Sequence, residues 1–107
     1  MSGEISTRVR YGKDKNGQRK GVLFTVRTGE SIFYGVSRCG PRDVFDRAMG
    51  LDIARGRCTK AIEKPETQLS ETESISSVNL RNGQNDYGQI NTKDIVLLIK
   101  AFEGLFA

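Results

Sequence analysis

Three short segments in the first third of the chain restrict its fold more than any other feature. Each is rich in β-branched and aromatic side chains, which favour strands, and the first alternates its side chains with the period of two that a strand requires. These segments are residues 5–12, 22–27 and 32–38. The connection between the first two contains Asn16-Gly17, the strongest short hairpin signal, and residues 28–31 (TGES) form a tight turn. The sequence therefore predicts an antiparallel meander of three strands.

A helix is predicted after the break at Gly40-Pro41. Proline suits the first turn of a helix, where its missing N–H is not needed, and acidic residues there interact favourably with the helix dipole. We expect this helix to run from residue 41 to about residue 63 and to end before Pro65. A helical wheel predicts that its apolar wall towards the sheet consists of Val44, Ala48, Leu51, Cys58 and Ile62.

The remainder of the chain is predicted to be a polar loop at residues 64–91 followed by a C-terminal helix at residues 92–107. A short fourth strand is expected within the loop, at residues 74–80. The last helix has apolar residues around most of its circumference, so we expect it to be an oligomerisation helix. The prediction is a single α+β domain, with an antiparallel sheet of three to four strands packed on a long helix.

Charge and composition favour binding over catalysis. Residues 1–62 carry a net charge of +7 and residues 63–107 carry −3, which points to an anionic partner for the first part. The chain has no histidine, the usual general base and metal ligand, and no P-loop glycine motif. We therefore predict a protein that is not an enzyme and has no cofactor and no metal.

No apolar run long enough to span a membrane and no signal peptide is evident in the sequence. We therefore expect a cytoplasmic protein with no membrane partner. The two cysteines, Cys39 and Cys58, are compatible with a reducing compartment, although the sequence leaves open whether they form a disulfide.

Five arginines lie within residues 38–57, namely Arg38, Arg42, Arg47, Arg55 and Arg57. The planar guanidinium binds phosphate or carboxylate oxygens two at a time, so such a cluster is a candidate anion site. Helical spacing allows Arg47 to pair with Asp43, and Arg55 with Asp52. Because one acid cannot satisfy two arginines, Arg55 and Arg57 are the strongest candidates for contact with a ligand.

Tyr87 is an aromatic residue among amide side chains, a composition with which proteins hold a nucleobase by stacking and hydrogen bonds. An ordinary turn with a tyrosine packed on the core is the alternative interpretation. A second anion site is predicted in the first hairpin, at Gln18, Arg19 and Lys20. The predicted ligand-binding residues are Arg38, Arg47, Arg55, Arg57, Tyr87, Asn85 and Asn91.

The segment from strand three into the helix resembles a group of small phage proteins. The residues that carry the resemblance are Gly35, Cys39, Pro41, Asp43, Phe45, Arg47, Gly50, Ile53, Ala54, Gly56 and Arg57. The group comprises the phage Thoeris anti-defence sponges of the first type. The resemblance implies a homo-oligomer, a dimer or a larger assembly such as a hexamer, that sequesters cyclic nucleotide immune signals in the host cytoplasm without degrading them. Glycocyclic ADP-ribose and cyclic di- or trinucleotides are the ligands it implies.

Two other functions remain compatible with the sequence. Basic residues on the strands, including Arg8, Arg10 and Arg27, resemble those of small domains that lay a three-stranded sheet on DNA, such as the plant Apetala-type and integrase arm-binding domains. Exposed basic residues are also common protection for edge strands. A protein-binding inhibitor or a structural phage component is the third possibility.

Overall fold

The computed structural model of the chain describes residues 5–29, 31–40, 44–63, 80 and 86–106. Within them four strands form one antiparallel sheet in the order β1-β2-β3-β4, which confirms the predicted α+β class and the three-stranded meander. The elements are β1 (Ile5–Lys13), β2 (Arg19–Thr28), β3 (Ser31–Arg38), helix α1 (Arg47–Glu63), β4 (Tyr87–Asn91) and helix α2 (Ile95–Gly104). A single 3-10 turn (Thr92–Asp94) joins β4 to α2.

The hairpin between β1 and β2 is built by Asp14 and Gly17. The Asp14 carboxylate accepts the backbone N–H groups of Asn16 and Gln18 at 2.9 and 3.0 Å. Gly17 has a φ of +80°, a left-handed conformation that glycine adopts without steric cost, as the Asn-Gly signal predicts.

A β-bulge follows this hairpin. Gly12 pairs with Gly21, whereas the next residue of β1, Lys13, pairs with Arg19. Lys20 is therefore an extra residue in β2, and such a residue redirects the side chains on either side of it. The bulge separates the side chains of Arg19 and Lys20, which matters for the binding surfaces described below.

Helix α1 packs on one face of the sheet through small residues. Its buried positions are Ala54, Cys58 and Ala61, and it crosses β3 at Gly35. A Cβ added to Gly35 would lie 2.0 Å from the Ala54 carbonyl oxygen, so the helix backbone rests directly on the strand. The Ser37 hydroxyl also donates a hydrogen bond to the Gly50 carbonyl at 2.7 Å, which ties the strand to the first turns of the helix.

The predicted apolar wall of this helix is wrong for three of its five residues, whereas Cys58 is buried and Leu51 is half-buried. Val44 precedes the helix and is 92% exposed, Ile62 is 44% exposed, and Ala48 is also exposed. The contact with Gly35 has room only for small side chains, so the helix turns those towards the sheet and leaves larger ones outside.

Helix α2 covers the opposite face with large apolar side chains. Leu98, Ala101 and Phe102 are buried there. They join a core cluster whose sheet members are Leu23, Ile32, Tyr34, Val36 and Ile90. Ile95 and Ile99 pack against this cluster partly buried, and Val96 and Leu97 remain about half exposed.

Several predicted elements have other boundaries in the structure. Strand β2 begins at Arg19 instead of residue 22, and α2 covers Ile95–Gly104 instead of residues 92–107. Helix α1 begins at Arg47 instead of residue 41, because the Asp46 carboxylate caps it by accepting the Met49 N–H at 3.0 Å. Residues 87–91, predicted as loop, form β4 against β3. Of the strand predicted at residues 74–80, only Leu80 lies within the described residues; it is buried and has a helical backbone. Neither helix described here is long and apolar enough to cross a bilayer.

Candidate anion-binding groove

A groove of about 890 Å³ lies at the end of the sheet where the first hairpin, the end of β3, helix α1 and the residues after α2 meet. Its lining combines cationic, acidic, amide and apolar side chains. The lining residues are Asp14, Asn16, Gln18, Lys20, Arg38, Cys39, Gly40, Arg57, Asp86, Leu105 and Phe106. The groove has the volume of a typical small-molecule site, which ranges from about 300 to 1,000 Å³.

Three cations from three different elements converge on this groove. Lys20 is the extra residue of the bulge in β2, Arg38 is the last residue of β3, and Arg57 lies in the third turn of α1. The Cys39 N–H donates to the Lys20 carbonyl at 2.7 Å, which continues the pairing of β2 and β3 and fixes the backbone beside Arg38. The positions of these cations are thus set by backbone hydrogen bonds and helix packing.

Asp86, the residue before β4, holds the two arginines near each other. Its carboxylate oxygens lie 3.6 Å from an Arg38 nitrogen and 3.4 Å from an Arg57 nitrogen. Both distances exceed the 2.7–2.9 Å of a close charge-assisted hydrogen bond. Asp86 therefore orients the guanidinium groups without closing a bidentate pair on either one.

Arg57 also has a structural contact. Its Nη1 donates to the Val36 carbonyl at 2.5 Å, at the point where β3 loses β4 as its neighbour. The Val36 N–H donates to the Asp86 carbonyl at 2.7 Å. Arg57 thus satisfies a strand-edge acceptor as well as facing the groove, and it contributes to the fold and to the site together.

Asp86 and Tyr34, which interact electrostatically, each have a buried side-chain oxygen. Neither the Tyr34 hydroxyl nor Asp86 Oδ1 has a hydrogen-bond partner among the described residues. Burial raises the pKa of Tyr34 above its usual value, and the negative charge of Asp86 adds to the increase. The Tyr34 hydroxyl is therefore protonated at neutral pH.

The other side of the groove is apolar. Phe106 stacks its ring edge-to-face with Phe102, with centroids 5.3 Å apart, and lies over Gly12 and Gly21. A Cβ at either glycine would lie 2.2–2.3 Å from the Phe106 ring, so the two glycines make room for the ring. The site therefore combines an aromatic surface with cations and with the side-chain amides of Asn16 and Gln18 in the hairpin.

The structure brings four of the residues predicted from sequence into this groove and separates the others. Arg38, Arg57, Gln18 and Lys20, which belonged to two predicted sites, line it together. Arg19 turns away, with its guanidinium carbon 4.5 Å from the centre of the Tyr11 ring.

Arg47 and Arg55 lie elsewhere on α1 and do not line the groove. The Arg47 Nε donates to the Tyr11 hydroxyl at 3.1 Å; its predicted partner Asp43 is outside the described residues. Arg55 pairs with Asp52 at 2.8 Å on the exposed surface, as the spacing predicts.

The predicted amide and aromatic residues do not join the groove as a group. Tyr87 pairs with Gly35 on β3, half-buried on the α1 side of the sheet. Asn91 pairs with Ser31, about 23 Å along β3 from Arg38 at the usual rise per residue. Asn85 and Arg42 lie outside the described residues.

Sequence reasoning missed Asp86, Phe106 and Asp14 as members of the site. The signal for Asp14 was present, since an aspartate before Asn-Gly commonly accepts hydrogen bonds within a turn. Asp86 and Phe106 reach the groove only through β4 pairing and the packing of α2, which local patterns do not show.

The two cysteines differ in environment and do not form a disulfide. Cys39 lines the groove, half-buried, whereas Cys58 is a residue of α1 and is buried against the sheet. Burial raises the pKa of the Cys58 thiol to about 11, so this thiol is protonated and unreactive at neutral pH.

Comparison of the chain with models of protein families, with curated proteins and with solved structures found no match.

Proposed function

We propose that this protein binds an anionic nucleotide in the groove and holds it without chemical change. The observation that carries this proposal is the convergence of Lys20, Arg38 and Arg57 from three elements onto one groove that also has an aromatic wall. Guanidinium groups bind phosphate oxygens two at a time, and the ammonium group adds a point charge.

A nucleotide has both kinds of surface that the groove offers. Its phosphates fit beside the arginines, where Asp86 keeps the guanidinium groups oriented. Its base fits against Phe106, with the Asn16 and Gln18 amides as donors and acceptors for its edge. A binding protein needs only such preorganised contacts, and the lack of histidine in the chain costs it nothing.

We further propose that the ligand is a cyclic nucleotide immune signal, glycocyclic ADP-ribose or a cyclic di- or trinucleotide, and that the protein is a phage anti-defence sponge acting in the host cytoplasm. Two residues of the motif that supports this idea, Cys39 and Arg57, line the groove. Two others, Gly35 and Ala54, form the contact that positions α1, and therefore Arg57, against the sheet.

DNA binding across the sheet is less compatible with the fold. Both faces of β2 and β3 are covered, one by α1 and the other by the α2 cluster. A duplex laid on the sheet would need one of these faces to be open. We therefore prefer the small ligand.

Isothermal titration calorimetry with a panel of cyclic nucleotides and with duplex DNA tests this function. We expect one cyclic nucleotide to bind and Lys20→Ala or Arg38→Gln to weaken its binding by about tenfold or more, since each removes a charged contact. Arg55→Gln is the matched control, because Arg55 lies two residues from Arg57 but outside the groove. Salt-sensitive binding of DNA without any response to nucleotides would contradict the proposal.

The proposed sponge is also a homo-oligomer. Apolar side chains remain exposed on both helices, with Met49 and Ile53 on α1 and Val96 and Leu97 on α2. Sedimentation velocity of the wild type should give a dimer or a larger species. Leu97→Lys and Ile53→Lys then identify the helix at the interface, and a wild-type monomer at micromolar concentration would refute oligomerisation.

A further inference from the structure

A second, smaller recess lies beside the outer edge of β1, separate from the groove. It has a volume of about 300 Å³. It is lined by Arg10, Tyr11, Lys13, Arg19, Ile99, Phe102 and Glu103, none of which lines the groove. The bulge separates the two sites, because it directs Lys20 to the groove and Arg19 to the recess.

The three cations of this recess, Arg10, Lys13 and Arg19, form no ion pair with the described residues, in contrast to the arginines that Asp86 holds in the groove. Lys13 and Arg19 are also direct partners in the β1–β2 register, and like charges in that position destabilise a sheet. Glu103 is the one acid in the described lining, and it too forms no ion pair with the described residues.

Aromatic contacts fix the position of one of these cations. The Arg19 guanidinium carbon lies 4.5 Å from the centre of the Tyr11 ring, a cation–π distance. The ring is held from two sides, since its hydroxyl accepts the Arg47 Nε–H at 3.1 Å and Phe45 meets it edge-on with centroids 6.4 Å apart. Arg19 therefore keeps its place in the recess without a carboxylate partner.

We infer that this recess is a second anion site, independent of the groove, that binds a compact polyanion of the pyrophosphate type. Three cations and one acid line this small recess and leave it with a net positive charge, which an anion with two adjacent charged groups balances. The site is local, because Arg8, on the same strand and the same sheet face as Arg10, does not line it. A DNA backbone would instead engage a series of cations along the strand.

Titration of the whole chain with inorganic pyrophosphate, followed by NMR of the arginine Nε–H signals, tests this site. We expect the Arg10 and Arg19 signals to shift together with one dissociation constant. Arg10→Gln or Lys13→Ala should weaken that binding by about threefold to tenfold, as expected for one partly exposed charge. Glu103→Gln should strengthen it by a similar factor, because it removes the one acid in the described lining of the recess.

The matched control is Arg8→Gln, which removes the same charge from the same strand outside the recess. If Arg8→Gln weakens pyrophosphate binding as much as Arg10→Gln, the effect is general charge attraction and the site is refuted. Stronger binding of duplex DNA that depends equally on Arg8 and Arg27 would also refute it. Arg38→Gln separates this site from the groove, since it should leave the pyrophosphate-induced shifts of Arg10 and Arg19 unchanged. The outcome of this test for the recess is therefore independent of what the groove binds.

Discussion

The two faces of the sheet are packed in opposite ways. On one face, α1 places small residues against Gly35, so that backbone meets backbone. On the other face, α2 packs Leu98 and Phe102 into a cluster of large apolar side chains. The first contact depends on the absence of a side chain, whereas the second depends on the presence of several.

This difference explains where the groove forms and what it contains. Close approach at Gly35 brings Arg57 near enough to β3 to reach the Val36 carbonyl and Asp86. The layer of large side chains ends in Phe106, which supplies the aromatic wall. One face therefore contributes a charge to the groove and the other contributes an apolar surface.

Gly35→Ala should have the largest effect on stability. The new Cβ would lie 2.0 Å from the Ala54 carbonyl oxygen and 2.5 Å from the Cys58 nitrogen, and neither backbone atom can move without displacing α1. We expect a loss of about 4 kcal/mol or more in the free energy of unfolding, measured by urea denaturation. Gly56→Ala is the matched control; it meets no atom within 4 Å and should stabilise the helix by up to about 1 kcal/mol. Equal stabilities for the two variants would contradict the packing described for α1.

Phe102→Ala tests the opposite face and should cost somewhat less. It removes a buried ring that packs against Phe106 and leaves a cavity, so we expect a loss of about 3–4 kcal/mol in the same assay. Leu97→Ala, on the exposed side of the same helix, should cost less than about 1 kcal/mol. A larger loss of stability in Leu97→Ala than in Phe102→Ala would contradict the side of α2 that the structure packs against the core.

At alkaline pH, the buried ionisable groups on the two faces should make a smaller contribution to the free energy of unfolding than the packing changes above. Burial raises the pKa of Cys58 from 9 to about 11, and that of Tyr34 above its usual value of 10. Between pH 9 and 11 the folded state therefore binds more protons than the unfolded state, so stability falls as pH rises. For Cys58 alone the loss should reach about 2–3 kcal/mol.

Urea denaturation at a series of pH values checks this effect. Cys58→Ala should flatten the decline above pH 9 and leave the part that belongs to Tyr34. A decline that is unchanged in Cys58→Ala would show that the thiol does not titrate with folding.

The smallest effect is expected in the reactivity of the two thiols, which should distinguish Cys39 from Cys58. A maleimide at neutral pH should modify Cys39, in the groove, at least about tenfold faster than Cys58, whose thiol is buried and protonated. A cyclic nucleotide in the groove should slow the reaction of Cys39. Peptide mapping by mass spectrometry measures both rates, and faster modification of Cys58 would contradict its burial.

The sequence was sufficient to predict the meander because its three strand segments are rich in β-branched and aromatic residues and are separated by turn signals, as at Asn16-Gly17. It was insufficient for α1, because a helical wheel assigns large apolar residues to the core, whereas the contact with Gly35 admits only small ones. β4 was missed because two of its five residues, Gly88 and Asn91, have low strand propensity, and its pairing with β3 spans a long connection.

The site likewise combines residues that local sequence indicates with residues that only tertiary packing brings in. Arg38, Arg57, Gln18 and Lys20 were identified from charge, residue type and helix geometry, and they do share one groove. Their grouping, and the loss of Arg19 from it, follow from a one-residue bulge that no sequence pattern indicated. Asp86 and Phe106 enter through tertiary contacts between distant parts of the chain.

The most direct test of the central claim is to recover the ligand after binding. The protein is mixed with glycocyclic ADP-ribose or a cyclic dinucleotide, separated from unbound ligand by filtration, and then heat-denatured, and the released nucleotide is analysed by mass spectrometry. We predict stoichiometric recovery of the unaltered nucleotide from the wild type and from Arg55→Gln, and little from the Lys20→Ala, Arg38→Gln double variant. A degraded nucleotide, or equal retention by the double variant, would contradict capture in the groove without chemical change.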